Sequence, residues 1–337
     1  MSAAALPNPP PSPGFAARRK AGGKTHPQLP LSAFSPPNSG TSEKFPLPPS
    51  PSTVHPDAVV DAHVVGTDLS AWKAEAGDIL GGRTGGVVLS LAGKESAEVE
   101  SVLSGLTSET PILSVLVPFS LDSASPITLP SATVPIGLTA VFAKATPESL
   151  PSLRSALELS RVVDLDVQGD ITADQPLWDS FEDLLTKATA DLPKPTPLVL
   201  SHILPPPHDI TLPIIQLISH PSYRKFQEQI ATLSLFPNVY AKFLPPTWGD
   251  APASGDKGEI AGKEWKRRIK MYIGPVLEAF GYQRIIFGSA PSSASTTKSV
   301  AGEWYELARE SFAELGVEQE MIDAVFAGNA RKVYGSA

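Results

Sequence analysis

The sequence predicts an α/β fold, a (β/α)8 barrel of the TIM type, with a Pro-rich N-terminal tail that lacks structure. Two patterns and one missing motif lead there. Eight short, apolar, β-branched runs recur from Asp57 onward, and polar stretches of helical character separate them. Near-continuous apolar strands between helices indicate a parallel sheet buried on both faces. A doubly wound sheet is the runner-up, but it would want a Gly-rich phosphate loop after its first strand, and "DAHVVGTDL" has none.

The runs come in this order: "AVVDAHVV" (58–65), "GGVVLSLA" (85–92), "PILSVLVPF" (111–119), "PIGLTAVFA" (135–143), "RVVDLDVQG" (161–169), "PLVLSHIL" (197–204), "NVYAKFLPP" (238–246) and "RIIFGSAPS" (284–292). Between them, "KESAEVESVLSGL", "PLWDSFEDLLTKATADL" and "PSYRKFQEQIATLSLF" space their apolar residues for helices, as do "EWKRRIKMYIGPVLEAFG" and "GEWYELARESFAELG". Pro176 near a helix start and Gly281 after "PVLEAF" supply start and stop signals. The stretch "SLDSASPITLPSATV" between the third and fourth runs has no helical pattern and reads as a loop or irregular crossover. Eight strand–helix units suit a chain of 337 residues with a tail to spare.

That tail is residues 1–56, and the barrel domain is 57–337. The tail holds fourteen of the 36 prolines and five basic residues against one acid, a net +4 in a chain whose total is −8. It has too few large apolar groups to offset ordering entropy. Its first residues lack the basic start and apolar stretch of a secretory signal. A cytoplasmic location is the default. The acid-free stretch around "FAARRK" makes a mitochondrial address the alternative, although "PNPPPSP" forbids an early amphipathic helix. Cysteine is absent, so disulfides, thiolate metal sites and a cysteine nucleophile are excluded. No apolar run is long enough to span a membrane. The acidic balance speaks against nucleic acid and leaves a small molecule as the expected partner.

In barrels of this kind chemistry sits at the C-terminal strand ends. Those ends offer Asp61 and His63, then Asp164 and Asp166, then Ser201 and His202 with His208 beyond, then Lys242, then Ser289. Asp164 and Asp166 are two apart and share a strand face; against the helices they would be costly, so they are expected inward at the mouth. Lys242 reads first as their ion-pair partner. His63 and His202 read equally as structural histidines, and His26, His55 and His220 carry no weight. His63, His202 and one aspartate could supply three metal ligands, but no pair has the tight spacing that fixes two at once. No Gly-x-Ser-x-Gly elbow is present.

The chain resembles the amidohydrolase-related group of the amidohydrolase superfamily, which includes sugar-lactone and pyrone-dicarboxylate lactonases. The resemblance rests on "FPNVYAKF" (236–243), "VLEAFGYQRIIFGSAPS" (276–292), "DAVFAGNARKVYG" (323–335), "PLVLSHI" (197–203) and "VVDAHVV" (59–65), in the right order from Asp57 to Gly335. It implies a TIM-barrel hydrolase. The group's opening His-x-His survives only as His63-Val64-Val65, and its strand-six histidine matches His202 with Ser201 before it. Its strand-eight aspartate, which binds metal or accepts the proton of the attacking water, falls on Ala290. The tryptophan that follows is replaced as well, by Ser292 after Pro291.

Two expectations follow. The first is a divergent, metal-independent hydrolase acting on a lactone or similar small carboxylate-bearing substrate. Asp164 or Asp166 activates water and His202 positions the substrate. Lys242 holds a carboxylate or oxyanion, and His63 and Ser289 line the site. No cofactor is expected; a divalent ion, if bound, is held weakly by His63, His202 and Asp164 or Asp166. The second is a catalytically inactive barrel kept as a ligand-binding or protein-interaction scaffold.

Overall fold

Parallel strands pair in the order β1 to β8, each with the next along the chain. The computed structural model describes residues 50–66, 68–106, 109–123, 125–206, 212–249, 256–292 and 299–335. Residues 1–49 and His208 lie outside these. The strands are β1 (Val59–Val65), β2 (Thr84–Ser90), β3 (Ile112–Pro118), β4 (Ile136–Phe142), β5 (Val163–Val167), β6 (Leu198–Ser201), β7 (Val239–Phe243) and β8 (Ile285–Phe287). The result is a TIM barrel, as the eight apolar runs predict. No helix among the described residues is long and apolar enough to cross a membrane.

The outer helices follow the strands. They are α1 (Leu69–Gly81), α2 (Ser96–Gly105), α3 (Ser149–Leu159), α4 (Gln175–Thr189), α5 (Ile214–Ser219), α6 (Pro221–Ser234), α7 (Asp256–Phe280) and α8 (Ala301–Ala313). Short α9 (Gln319–Asp323) and α10 (Asn329–Tyr334) close the chain. Among the described residues of 119–135, between β3 and β4, there is no helix, in keeping with the missing periodicity. Helix α4 shows how local sequence sets the layer. Asp174 caps it by accepting from the Leu177 amide at 3.1 Å, with Pro176 in the first turn. Its buried stripe is Trp178, Phe181, Leu184, Leu185 and Ala188, and Phe181 meets Phe142 of β4 with ring centroids 4.8 Å apart.

Inside the sheet a second cluster fills the barrel. Val60, Ala62, Val88, Leu116, Val199, Tyr240 and Ile286 come from the strands. Ala330, Val333 and Tyr334 come from α10, which plugs the end where the strands begin. Arg161, just before β5, donates to the Gly335 carbonyl at 3.1 Å and holds that plug.

The closing seam differs from the other seven. Registered pairing runs from β1 to β8 but does not continue from β8 to β1 among the described residues. One backbone bond crosses there, from the Ala290 amide to the His63 carbonyl at 3.0 Å. Gly288 allows the approach: a Cβ at this position would lie 2.7 Å from both the His63 Cβ and the Leu244 Cδ2. Gly288→Ala is therefore expected to destabilise the barrel by about 1–3 kcal/mol, the range for overpacking a close contact. Urea unfolding of the two proteins checks this.

Candidate active site

The C-terminal rim is built on two inward-facing levels. On the lower level Asp164 of β5 and Lys242 of β7 meet inside the barrel, in front of the intervening strand β6. They form a buried salt bridge, with no exposure of the lysine side chain and 4% of the aspartate's. The second oxygen of Asp164 accepts from the Tyr334 hydroxyl at 2.7 Å, reaching up from α10. The Lys242 ammonium also lies 5.4 Å from the centre of the Tyr334 ring. Burial pushes the Asp164 carboxyl up, against the pull of Lys242 and of the Tyr334 hydrogen bond. Burial, reinforced by the neighbouring Asp164, holds the Tyr334 hydroxyl well above its ordinary range, so it stays protonated and donates.

One level up, toward the mouth, stands Asp166. It accepts from the Ser292 hydroxyl at 2.7 Å. His63 lies in electrostatic reach of both Asp166 and Lys242. The His63 Nδ1 is 3.0 Å from the Ala290 carbonyl oxygen, which can only accept. Nδ1 therefore carries the proton, and Nε2 keeps its lone pair. Burial, helped by Lys242, lowers His63 to about 4, so the ring is neutral at pH 7.

The remaining predicted groups go elsewhere. Ser289 is 2% exposed and donates its hydroxyl to Asp61. His202 sits in the left-handed region with φ 64°, a costly conformation away from glycine. Its Nδ1 donates to the Val167 carbonyl at 2.9 Å, and its buried Nε2 has no partner among the described residues. It lines a void of about 10 Å³, room for one water, with Gly169, Thr172 and the α6 residues Phe226 and Ile230. The structure brings Asp164 to Lys242 and His63 toward Asp166, and ties His202 to the Val167 carbonyl at the end of the same strand, β5. Ser292, read from sequence only as the replacement of a tryptophan, and Tyr334, not singled out at all, enter the site. Tyr334 lies at the end of a helix motif, and only the tertiary fold carries its hydroxyl into the barrel.

Among the described residues, no three His, Asp or Glu side chains gather as a metal ion requires. Asp164 is held by Lys242 and Tyr334, Val65 is 51% exposed with no donor, and Ala290 offers only its backbone. The described donors do not make up a metal site.

The sequence matches the family model described as amidohydrolase over residues 143–336, more than half of the chain. The chain belongs to the amidohydrolase family. No curated protein matches it in sequence. Among solved structures it is similar to an amidohydrolase from Burkholderia multivorans with bound HEPES, at 15% identity and TM-score 0.56, covering 82% of this chain and 99% of that one. A second form of that protein, with bound zinc, gives 15% identity and TM-score 0.55, covering 82% and 99%. A putative 2-pyrone-4,6-dicarboxylic acid hydrolase from Pseudomonas putida gives 17% identity and TM-score 0.50, covering 82% and 97%. At these identities the likeness establishes the barrel fold and nothing finer.

The depressed His63 has a consequence for stability. Between pH 6.5 and about 4 the native ring holds fewer protons than the unfolded one. Its contribution is therefore full above pH 6.5 and is lost as pH falls toward 4. At ~1.4 kcal/mol per unit this amounts to about 3 kcal/mol. Asp61 and Asp164, raised by burial, act in the opposite sense in acid and are common to both proteins of the comparison. The stability difference between wild type and His63→Gln is expected to be larger at pH 7 than at pH 4 by about that amount, read from urea unfolding at each pH.

Proposed function

We propose that this amidohydrolase is a hydrolase that opens a lactone, or a similar small carboxylate-bearing ester, with water activated by Asp166 and without a tightly held metal. One observation carries the reading: Asp166 stands beside a neutral His63 at the rim, while Asp164 is paired to Lys242 below it. Asp166 takes the proton of the attacking water as oxygen bonds to the carbonyl carbon. The Nε2 lone pair of His63 accepts a hydrogen bond from that water and orients it. The Lys242 charge, in electrostatic reach of His63, favours the anionic intermediate from beneath. The ring oxygen then leaves with the proton that Asp166 received. Among the structural neighbours, the Pseudomonas putida protein carries the name of a pyrone-dicarboxylate hydrolase, which agrees with a lactone of this class.

A second reading is an inactive barrel. Ala290 favours it, since the position that carries an acid in related enzymes offers only a carbonyl to His63.

The two separate in one assay. The protein, dialysed against a chelator, is tested on a panel of lactones that includes a pyrone dicarboxylate. Activity is expected to persist after dialysis. In Asp166→Asn, kcat/KM is expected to fall by about 10²–10⁴-fold with the fold intact, the usual worth of a general base. No turnover of any lactone by the wild-type protein, or full activity in the variant, would sink the hydrolase reading.

A further inference from the structure

Asp61 is a buried carboxylate, 1% exposed, that the proposed chemistry does not use. It lies on β1 with its side chain toward α1 and the seam. One oxygen accepts from the His63 amide at 3.1 Å and from the Ser289 amide at 2.8 Å. The other accepts from the Trp72 indole at 2.8 Å and from the Ser289 hydroxyl. The four donors are neutral, so they do not cancel its charge; they hold its position. Burying a carboxylate is costly without such bonds, and three of the four lie on or across the seam.

Among the described residues that seam has a single backbone bond, so the side chain does what a β ladder does elsewhere. The consequence lies one residue further on. Asp61 fixes Ser289, and Ser289 fixes Ala290. Ala290 then donates its amide to the His63 carbonyl at 3.0 Å and accepts from His63 Nδ1 at 3.0 Å. Asp61 also anchors the His63 amide directly, where the β1 register shifts between Asp61 and Val64. Both ends of the histidine clasp therefore hang on one carboxylate.

We infer that Asp61 is a positioning residue that sets the tautomer of His63, keeping the proton on Nδ1 and the lone pair on Nε2. The role in turnover rests on the hydrolase reading above; the effect on the ring does not. Without Asp61 the β8 end moves relative to β1, the Ala290 carbonyl no longer meets Nδ1, and the proton distributes over both nitrogens.

The experiment is long-range ¹H–¹⁵N NMR of the histidine rings in the full chain at pH 7, in the absence of substrate. Wild type is expected to show His63 as one tautomer, protonated at Nδ1. Asp61→Asn is expected to show a mixture of two, and Ser289→Ala a smaller shift in the same direction. Ser289→Ala decides the matter if the first variant does not fold. Trp72→Phe removes the donor on the helix side alone and is expected to leave the tautomer unchanged. A single Nδ1 tautomer in every folded seam variant overturns the inference. So does an equal mixture in Trp72→Phe, because general loosening of the core would then explain the effect. An intact tautomer response in a protein that turns over no lactone would remove the hydrolase reading and leave this one standing.

Discussion

An ammonium group with no exposure, set in the middle of an apolar barrel, is the constraint around which this site is arranged. The Lys242 side chain is shut off from bulk solvent, and the cost of a lone buried charge is several kcal/mol even after the surroundings relax. The fold answers with Asp164 from β5, two strands away, and that carboxylate is held in turn by the Tyr334 hydroxyl from the last helix. The arrangement ties β5, β7 and α10 together at one point. It also divides two aspartates that look alike in sequence. The lower one is committed to the lysine; the upper one, Asp166, takes a bond from Ser292 and faces His63. The assignment of roles within the proposed mechanism follows from that division.

A second charge does comparable work at the seam. Asp61 replaces a missing ladder with hydrogen bonds to both strands, and Gly288 lets the two backbones approach. His63 sits where these devices meet. Its neutral state and its tautomer are thus properties of the barrel closure as much as of the ring. The imidazole is kept in order through the backbone carbonyl of Ala290, a residue whose side chain can neither bind a metal nor take a proton.

The architecture was largely legible because parallel strands buried on both faces must be apolar throughout, and the eight runs obey that rule. The irregular crossover after β3 was legible for the complementary reason: 120–134 has no periodicity to bury. The inward face of Asp164 and Asp166 followed from their spacing of two. Which of them meets Lys242 did not, because strand stagger is set by the whole sheet. Tyr334 was unreadable as a site residue, since it reaches Asp164 from 170 positions away along a helix that plugs the opposite end. The backbone of His202 was not legible either. Its place after β6 matched a family histidine, yet a backbone φ of 64° and a bond to Val167 put the ring against another element. Sequence spacing carries no information about such a turn.

The most direct test of the account is a double-mutant cycle on the buried pair, Lys242→Met, Asp164→Leu and both together, read as unfolding free energies in urea. Removing either partner alone leaves an uncompensated charge or its neutralised remnant in the barrel and is expected to cost about 3–5 kcal/mol, whereas the double variant recovers most of that loss. Losses that simply add would contradict the account, because they would mean that the two residues do not answer each other and that Asp164 is available for chemistry after all.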